Sequence, residues 1–268
     1  MRQLLVLLAA SAFTGCASTA LTEPVVHASP YLALYRLRGD VGLQSAGGQD
    51  NAAASMDTFG QARRRDDVGI RVDVGDGFCG LRADYYKLDM NTSTSGQLAE
   101  DWGALLAGDS VSMFASMDEL RLGYVEELVE FQTKWRAEDL RVRLGAGGAL
   151  AIRDARLRGR ELTGTRTQDL DFSHQLAYVA IRARAAWQRL AIDLDYALAP
   201  EALAIGGDVD GVSHDFEARL SYQLPQGDMS FFAGYRRNDV GARGDADGLD
   251  FTSDLVIDGF QLGVLVTF

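Results

Sequence analysis

Apolar and polar residues alternate with a period of two along most of this chain. Phe216, Ala218, Leu220, Tyr222 and Leu224 interleave with Asp215, Glu217, Arg219, Ser221 and Gln223. Leu190, Ile192, Leu194, Tyr196 and Leu198 do the same, as do Val68, Ile70, Val72 and Val74, and Leu140, Val142, Leu144 and Ala146. Successive side chains of a strand point to opposite faces, so each run predicts a strand with one apolar face. Further strands are expected at about 31–45, 78–89, 116–127, 173–186, 229–238 and 255–268, which makes ten. Alternation fails at Glu126-Glu127, and the stretch to Asp139 fits a bulge, a short helix or a longer turn. Eight or twelve strands are the alternatives.

The connections alternate as well. Asp76-Gly77, Ala185–Trp187 and Pro225–Asp228 are short, and Asp-Gly is a favoured hairpin turn. Between them lie polar segments 46–66, 90–115, 154–172, 199–212 and 239–254, rich in Gly, Asp, Ser, Thr and Asn. Short turns on one side and long loops on the other describe an up-and-down meander threaded across a membrane. The predicted fold is all-β: one antiparallel transmembrane β-barrel spanning 31–268, with both termini on the short-turn side.

The beginning of the chain reads differently. Met1-Arg2-Gln3 precedes an apolar run from Leu4 to Ala10, the form of a secretory signal. The longest apolar run, Leu4–Phe13, is shorter than the roughly 20 residues a spanning helix needs. Phe13-Thr14-Gly15-Cys16 resembles the lipobox of bacterial lipoproteins, with Phe13 where Leu is usual. The resemblance implies a signal peptide over 1–15, lipidation of Cys16 and a periplasmic segment over 16–30. Ala17 after the cysteine then favours sorting to the outer membrane. The alternative is cleavage after Ala20 or Ala28.

Periodicity alone does not say which face of a barrel meets lipid. Three features place the apolar face outside. The polar face is dense in arginine and acids: Arg36, Arg38, Asp40, Arg71, Asp73, Arg82, Asp84, Glu119, Arg121, Arg141, Arg143, Asp193, Asp195, Glu217, Arg219 and Arg236. Lysine, the usual water-facing cation, is confined to Lys87 and Lys134, whereas arginine suits enclosed bidentate pairing. Trp187, Tyr222, Phe231 and Phe268 sit at short-turn strand ends, where an interfacial aromatic girdle belongs. The chain finishes on Phe260, Leu262, Val264, Val266 and Phe268, all on one face. This ending resembles the C-terminal targeting strand of bacterial outer-membrane barrels. It implies outer-membrane lipid and the barrel assembly machinery as partners in a Gram-negative cell, with the termini in the periplasm.

Composition narrows the function classes. A net charge of −12 argues against nucleic acid. Cys16 and Cys79 make no disulfide framework, and Cys79 is expected on the lipid side. No phosphate-cradling glycine motif, metal set or cofactor fingerprint stands out, so no cofactor and no metal are expected. Asp245, Asp247, Asp250 and Asp254 cluster without a calcium-loop spacing. His174 and His214 open strands on the long-loop side, with Asp171, Asp210 and Asp215 near them. Such groupings occur in the omptins, ten-stranded outer-membrane proteases that use an Asp-x-Asp pair facing an Asp-x-His pair. Here Asp169-x-Asp171, Asp208-x-Asp210 and Asp245-x-Asp247 have no Asp-x-His opposite them. Ser173-His174 and Ser213-His214 are adjacent, so their side chains take opposite faces and do not form a lipid hydrolase pair. The expected protein is a non-enzymatic outer-membrane barrel with a structural, surface-interaction or narrow-pore role. A rim enzyme and a periplasmic ligand-binding barrel are the alternatives.

Overall fold

The computed structural model describes residues 24–48, 53–59, 65–91, 95–201, 204–206, 209–225 and 227–268. Cys16, the signal segment 1–15 and most of 16–30 lie outside the described residues. Ten long strands carry the fold: β1 Val25–Leu43, β2 Arg65–Gly75, β3 Gly80–Asn91, β4 Ser110–Trp135 and β5 Glu138–Glu161. They continue as β6 Thr167–Trp187, β7 Leu190–Ala199, β8 Ser213–Gln223, β9 Met229–Ala246 and β10 Leu249–Thr267. β1 starts six residues before the expected barrel start at 31. Four pairings of two or three residues, such as Ala54–Ser55 on β1, join the sheet at its long-loop end.

Each strand pairs antiparallel with its neighbours in sequence, and β1 pairs with β10, so the sheet closes on itself. The pairing path from Val25 runs through Gly75, Gly80, Val125, Gly147, Ala180, Ala197, Asp215, Asn238 and Ile257. It returns to β1 at Leu37, twelve residues above its start. Ten strands with that stagger tilt by about 40° and enclose a cylinder of about 10 Å backbone radius. Side chains fill such a bore.

The turns explain the ends. Arg136-Ala137 and Gln188-Arg189 are two-residue hairpin loops; Arg136 and Ala137 have φ of 50° and 66°, as type I′ geometry requires, whereas in the second loop only Gln188, at 55°, is positive, the II′ pattern. The failed alternation at Glu126-Glu127 is a bulge: register slips between Glu127 and Val129. Past it, β4 continues to Trp135 and pairs with β5 alone, so this hairpin projects beyond the other short turns. Two expected long loops are corrected. Segment 239–254 is strand on both sides of Asp247-Gly248, and 154–172 is strand except for 162–166.

The apolar faces carry a second pattern. In β6, Leu170, Phe172, Leu176 and Tyr178 are buried, then Val179 and Ile181 are exposed. In β4, Val111, Met113, Ala115 and Met117 are buried and Leu120 and Leu122 exposed. In β10, Phe251, Leu255 and Ile257 are buried and Phe260 and Leu262 exposed. The apolar parity switches faces part-way up these strands. Below the switch the outside is apolar; above it the inside is. On β5 the apolar outer stretch runs from Leu144 to Ile152 before Asp154 and Arg156 take over. At about 2.5 Å of height per tilted residue this makes a girdle of about 20 Å, near the ≈25 Å of membrane barrels. A charged ring tops it on the outer face, with Lys87–Asp89 at 2.9 Å, Arg156–Asp171 at 3.1 Å and Arg36–Asp258 at 2.8 Å.

Candidate functional site

The lumen is built in three levels. At the short-turn end, residues 76–79 fold inward under the barrel. Asp76 Oδ1 accepts the amides of Phe78 and Cys79, both at 2.8 Å, which shapes the turn. Gly77 takes φ +83°, a conformation that suits glycine. Phe78 is fully buried; its ring lies 4.5 Å from the Arg143 guanidinium and its carbonyl accepts Arg182 Nη1 at 2.6 Å. Arg143 also pairs with Asp76 and Glu127 and donates to Cys79 Sγ at 3.3 Å. The bulge at Glu127 therefore has a use: it sets a carboxylate against Arg143. Cys79 is buried here beside Asp76 and Arg143, so its expected lipid-facing position is corrected. Burial, with the charge of Asp76, pushes its thiol up to about 11. Burial also disfavours the Asp76 carboxylate, but hydrogen bonds from Arg143 and the two amides outweigh it and hold the carboxyl below its ordinary 3.8. Asp76, Cys79 and Glu127 offer ligand-type atoms within 4.8 Å of one another. Arg143 already serves as their cation.

The middle level is a column of ion pairs. Arg82 bridges Asp73 at 2.6 Å and Asp195 at 3.2 Å, and Arg182 holds Asp195 from the other side. Arg184 meets Asp193 at 2.6 Å. Arg71 forks onto Glu217 at 2.6 Å and reaches Asp84 at 3.2 Å. Arg236 touches Asp84, Glu119 and Asp215 at 3.1, 3.1 and 2.7 Å. Arg121 pairs with Asp215 and with Glu119 at 3.0 Å, and Arg153 closes the top on Glu119. Above the mouth, eight guanidiniums (Arg71, Arg82, Arg121, Arg153, Arg182, Arg184, Arg219, Arg236) face seven carboxylates (Asp73, Asp84, Glu119, Asp193, Asp195, Asp215, Glu217) among the described residues. Tyrosines complete the network: Tyr31 donates to Asp84 at 3.1 Å, and Tyr178 to Ser213 at 2.9 Å.

Of the sixteen charged residues expected inside, twelve are placed in the lumen or at its mouth. Four are not. Arg36 and Arg38 lie on the outer face, 34% and 41% exposed, where both hold Asp258. Asp40, on the same face, is exposed too. In β1 the inward set is instead Tyr31, Ala33, Tyr35 and Leu37. Their apolar character put the wrong face inside when alternation was read alone. Arg141 sits on the projecting hairpin, 55% exposed, against Glu130 at 3.4 Å. The sequence reading omitted Arg153, Arg182, Arg184 and Asp215. Arg153 and Asp215 share a strand face with Arg143 and Glu217, and alternation with Ile181 was the available signal for Arg182 and Arg184. Phe260 and Leu262 are exposed on the outer face, and Val264 and Val266 follow the same parity.

The top level was not foreseen. Above Arg153 the bore is filled by an apolar core that includes Leu37, Met90, Met113, Phe172 and Leu255. The long loops supply Met56, Phe59, Leu98, Trp102, Leu105 and Val209 to it. Phe59 packs edge-on to Trp102 at 5.4 Å, and Trp102 Nε1 donates to the Val41 carbonyl at 3.1 Å. A cavity of about 60 Å³ remains below, in the ion-pair column, with a wall of Gly80, Gly123, Gly148, Ala149, Ala180 and Ala197.

The three histidines are dispersed. His27 contacts Thr267 near the mouth, and His214 faces outward and shares a hydrogen bond with Tyr196 at 2.8 Å. His174 is fully buried at the base of the apolar core, opposite Arg153. None of the three makes a hydrogen bond or ion pair with a carboxylate among the described residues.

No protein-family model matches this chain, and no curated protein does either. Among solved structures it is similar to the outer membrane protease OmpT from Escherichia coli, at 11% identity and TM-score 0.44, over 95% of this chain and 100% of that one. It is also similar to Neisserial surface protein A, at 13% identity and TM-score 0.37, over 91% and 97% of the two chains. Ail of Yersinia pestis follows at 10% identity and TM-score 0.33, over 90% and 98%. At that level of likeness no activity passes from these proteins to this one.

Proposed function

We propose that this chain is a closed outer-membrane β-barrel of a Gram-negative bacterium with a structural and surface-interaction role. The apolar girdle lies in the bilayer and the long-loop end faces outward. One observation carries this reading: a continuous ring of exposed Val, Ile, Leu, Tyr and Phe side chains surrounds a lumen occupied by side chains at all three levels, with a cavity of about 60 Å³ left in the ion-pair column. An exposed apolar surface of this extent is untenable in water, and lipid tolerates only a sheet without edges. The filled lumen favours a scaffold over a conduit. The assembly machinery is the partner proposed for the C-terminal strand ending at Phe268. Fractionation of cell envelopes tests the reading. The protein is expected with outer membranes, with faster gel migration unheated than boiled, and with single-channel conductance at baseline. Recovery as a soluble periplasmic species overturns it.

A further inference from the structure

We propose that the mid-lumen cavity is a binding site for one monovalent anion of halide size. The cavity, about 60 Å³, lies inside the ion-pair column between the buried mouth turn and the apolar core. That volume takes a halide ion with a few waters. Five guanidiniums and four carboxylates line it: Arg71, Arg82, Arg121, Arg182 and Arg236 against Asp84, Asp195, Asp215 and Glu217. With Arg143, Asp76 and Glu127 at the mouth counted, nine guanidiniums meet nine carboxylates, so what recommends an anion is the crowding of five guanidiniums around the cavity and not a net charge.

Hydrogen bonding points the same way. Arg71 is 3% exposed; its two terminal nitrogens are occupied by Glu217 and Asp84, while its Nε–H has no partner. Arg121 repeats the arrangement, its terminal nitrogens held by Asp215 and Glu119 and its Nε–H unpartnered. Among the described lining residues, the buried side-chain atoms without partners are these two donors alone. Donors of this kind call for an acceptor in the cavity, and a cation satisfies neither. The small residues opposite, Ala180 and Ala197 among them, leave the space that the ligand fills.

Crystals grown in sodium bromide test the site directly. An anomalous bromide peak within hydrogen-bond reach of Arg71 Nε and Arg121 Nε is expected; scattering there that fits water alone overturns the proposal. In detergent, the melting temperature is expected to rise with chloride in a saturable way, relative to gluconate at matched ionic strength. Ala180→Leu fills the cavity and leaves every arginine in place, so it is expected to abolish that rise. An unchanged chloride response in a folded Ala180→Leu protein overturns the proposal as well. Should that variant fail to assemble, the bromide map of the wild type still decides.

Discussion

Individual side chains differ widely in what they hold, even within one charged column. Arg236 contacts three carboxylates within 3.1 Å, whereas Arg219 has one carboxylate contact, to Asp193, at 3.5 Å, and lies 5.3 Å from the Phe232 ring. Asp193 keeps Arg184 at 2.6 Å when Arg219 is gone, so little is stranded. Arg236→Met leaves Asp84, Glu119 and Asp215 each short of one partner inside a sealed bore. Breaking a buried pair typically costs ~3–5 kcal/mol. Urea unfolding in micelles is expected to show a loss of that order for Arg236→Met and less than about 1 kcal/mol for Arg219→Met, the scale of a weak, replaceable pair. Equal losses would contradict the network as drawn. Asp76 gives a different kind of test. Its carboxyl is held below 3.8, so its clamp on Arg143 is complete at neutral pH. The stabilisation is present above the unfolded pKa and is lost as pH falls through the folded value. Cys79, with a thiol near 11, is expected to resist alkylation at pH 7.5 in the wild type. Asp76→Ala removes both the acceptor that shapes the turn and the anchor of Arg143, and peptide mapping should then show Cys79 alkylated at least about tenfold faster.

Elements above the girdle bury their apolar side chains inward, as soluble proteins do, and those within it turn them outward. The loops that contribute Met56, Phe59, Trp102 and Leu105 are held by burial, not by pairing alone. Trp102→Ala removes a fully buried indole and its bond to Val41, a change that costs ~3–5 kcal/mol in a packed core. Limited proteolysis is expected to cut the 95–109 loop quickly in that variant while the girdle stays intact. The split also explains what the sequence disclosed. Strand number and chain direction followed from period-two runs such as 215–224 and 190–198, whereas the strict alternation of short and long connections did not hold at 162–166 and 247–248. Which face lies inside did not follow, because it changes along one strand. In Leu176-Ala177-Tyr178-Val179-Ala180-Ile181 the apolar parity passes from even to odd. The switch shows in the sequence as adjacent apolar residues, and a single rule of apolar side chains outward holds only below it. That rule misplaces Arg36, Arg38 and Asp40, which stand just above the girdle. The polar stretches 154–172 and 239–254 misled in another way. Outside the girdle both the outer face and the turns are polar, so extended strands such as Arg156–Arg160 resemble loop.

At the scale of the whole molecule, closure follows from geometry. Ten strands with a stagger of twelve leave a bore of about 10 Å backbone radius, and inward side chains span much of it. Three independent obstructions then stand in series: the buried Phe78 turn, the ion-pair column and the apolar core. Resistances in series are governed by the largest, so removing one obstruction leaves the others in control. Arg219→Ala, which thins the column at its least engaged arginine, is therefore expected to leave bilayer conductance at baseline. Asp76→Ala, which loosens the mouth, should do the same. The apolar core is the decisive barrier, because a dewetted segment excludes ions whatever charge lies below it. Conductance is expected only when the core is hollowed, as in Trp102→Ala with Phe172→Ala, and combined with a weakened column. If Arg219→Ala alone opened a steady conductance, the apolar core would not be sealing the bore, and the chain would have to be regarded as a gated pore.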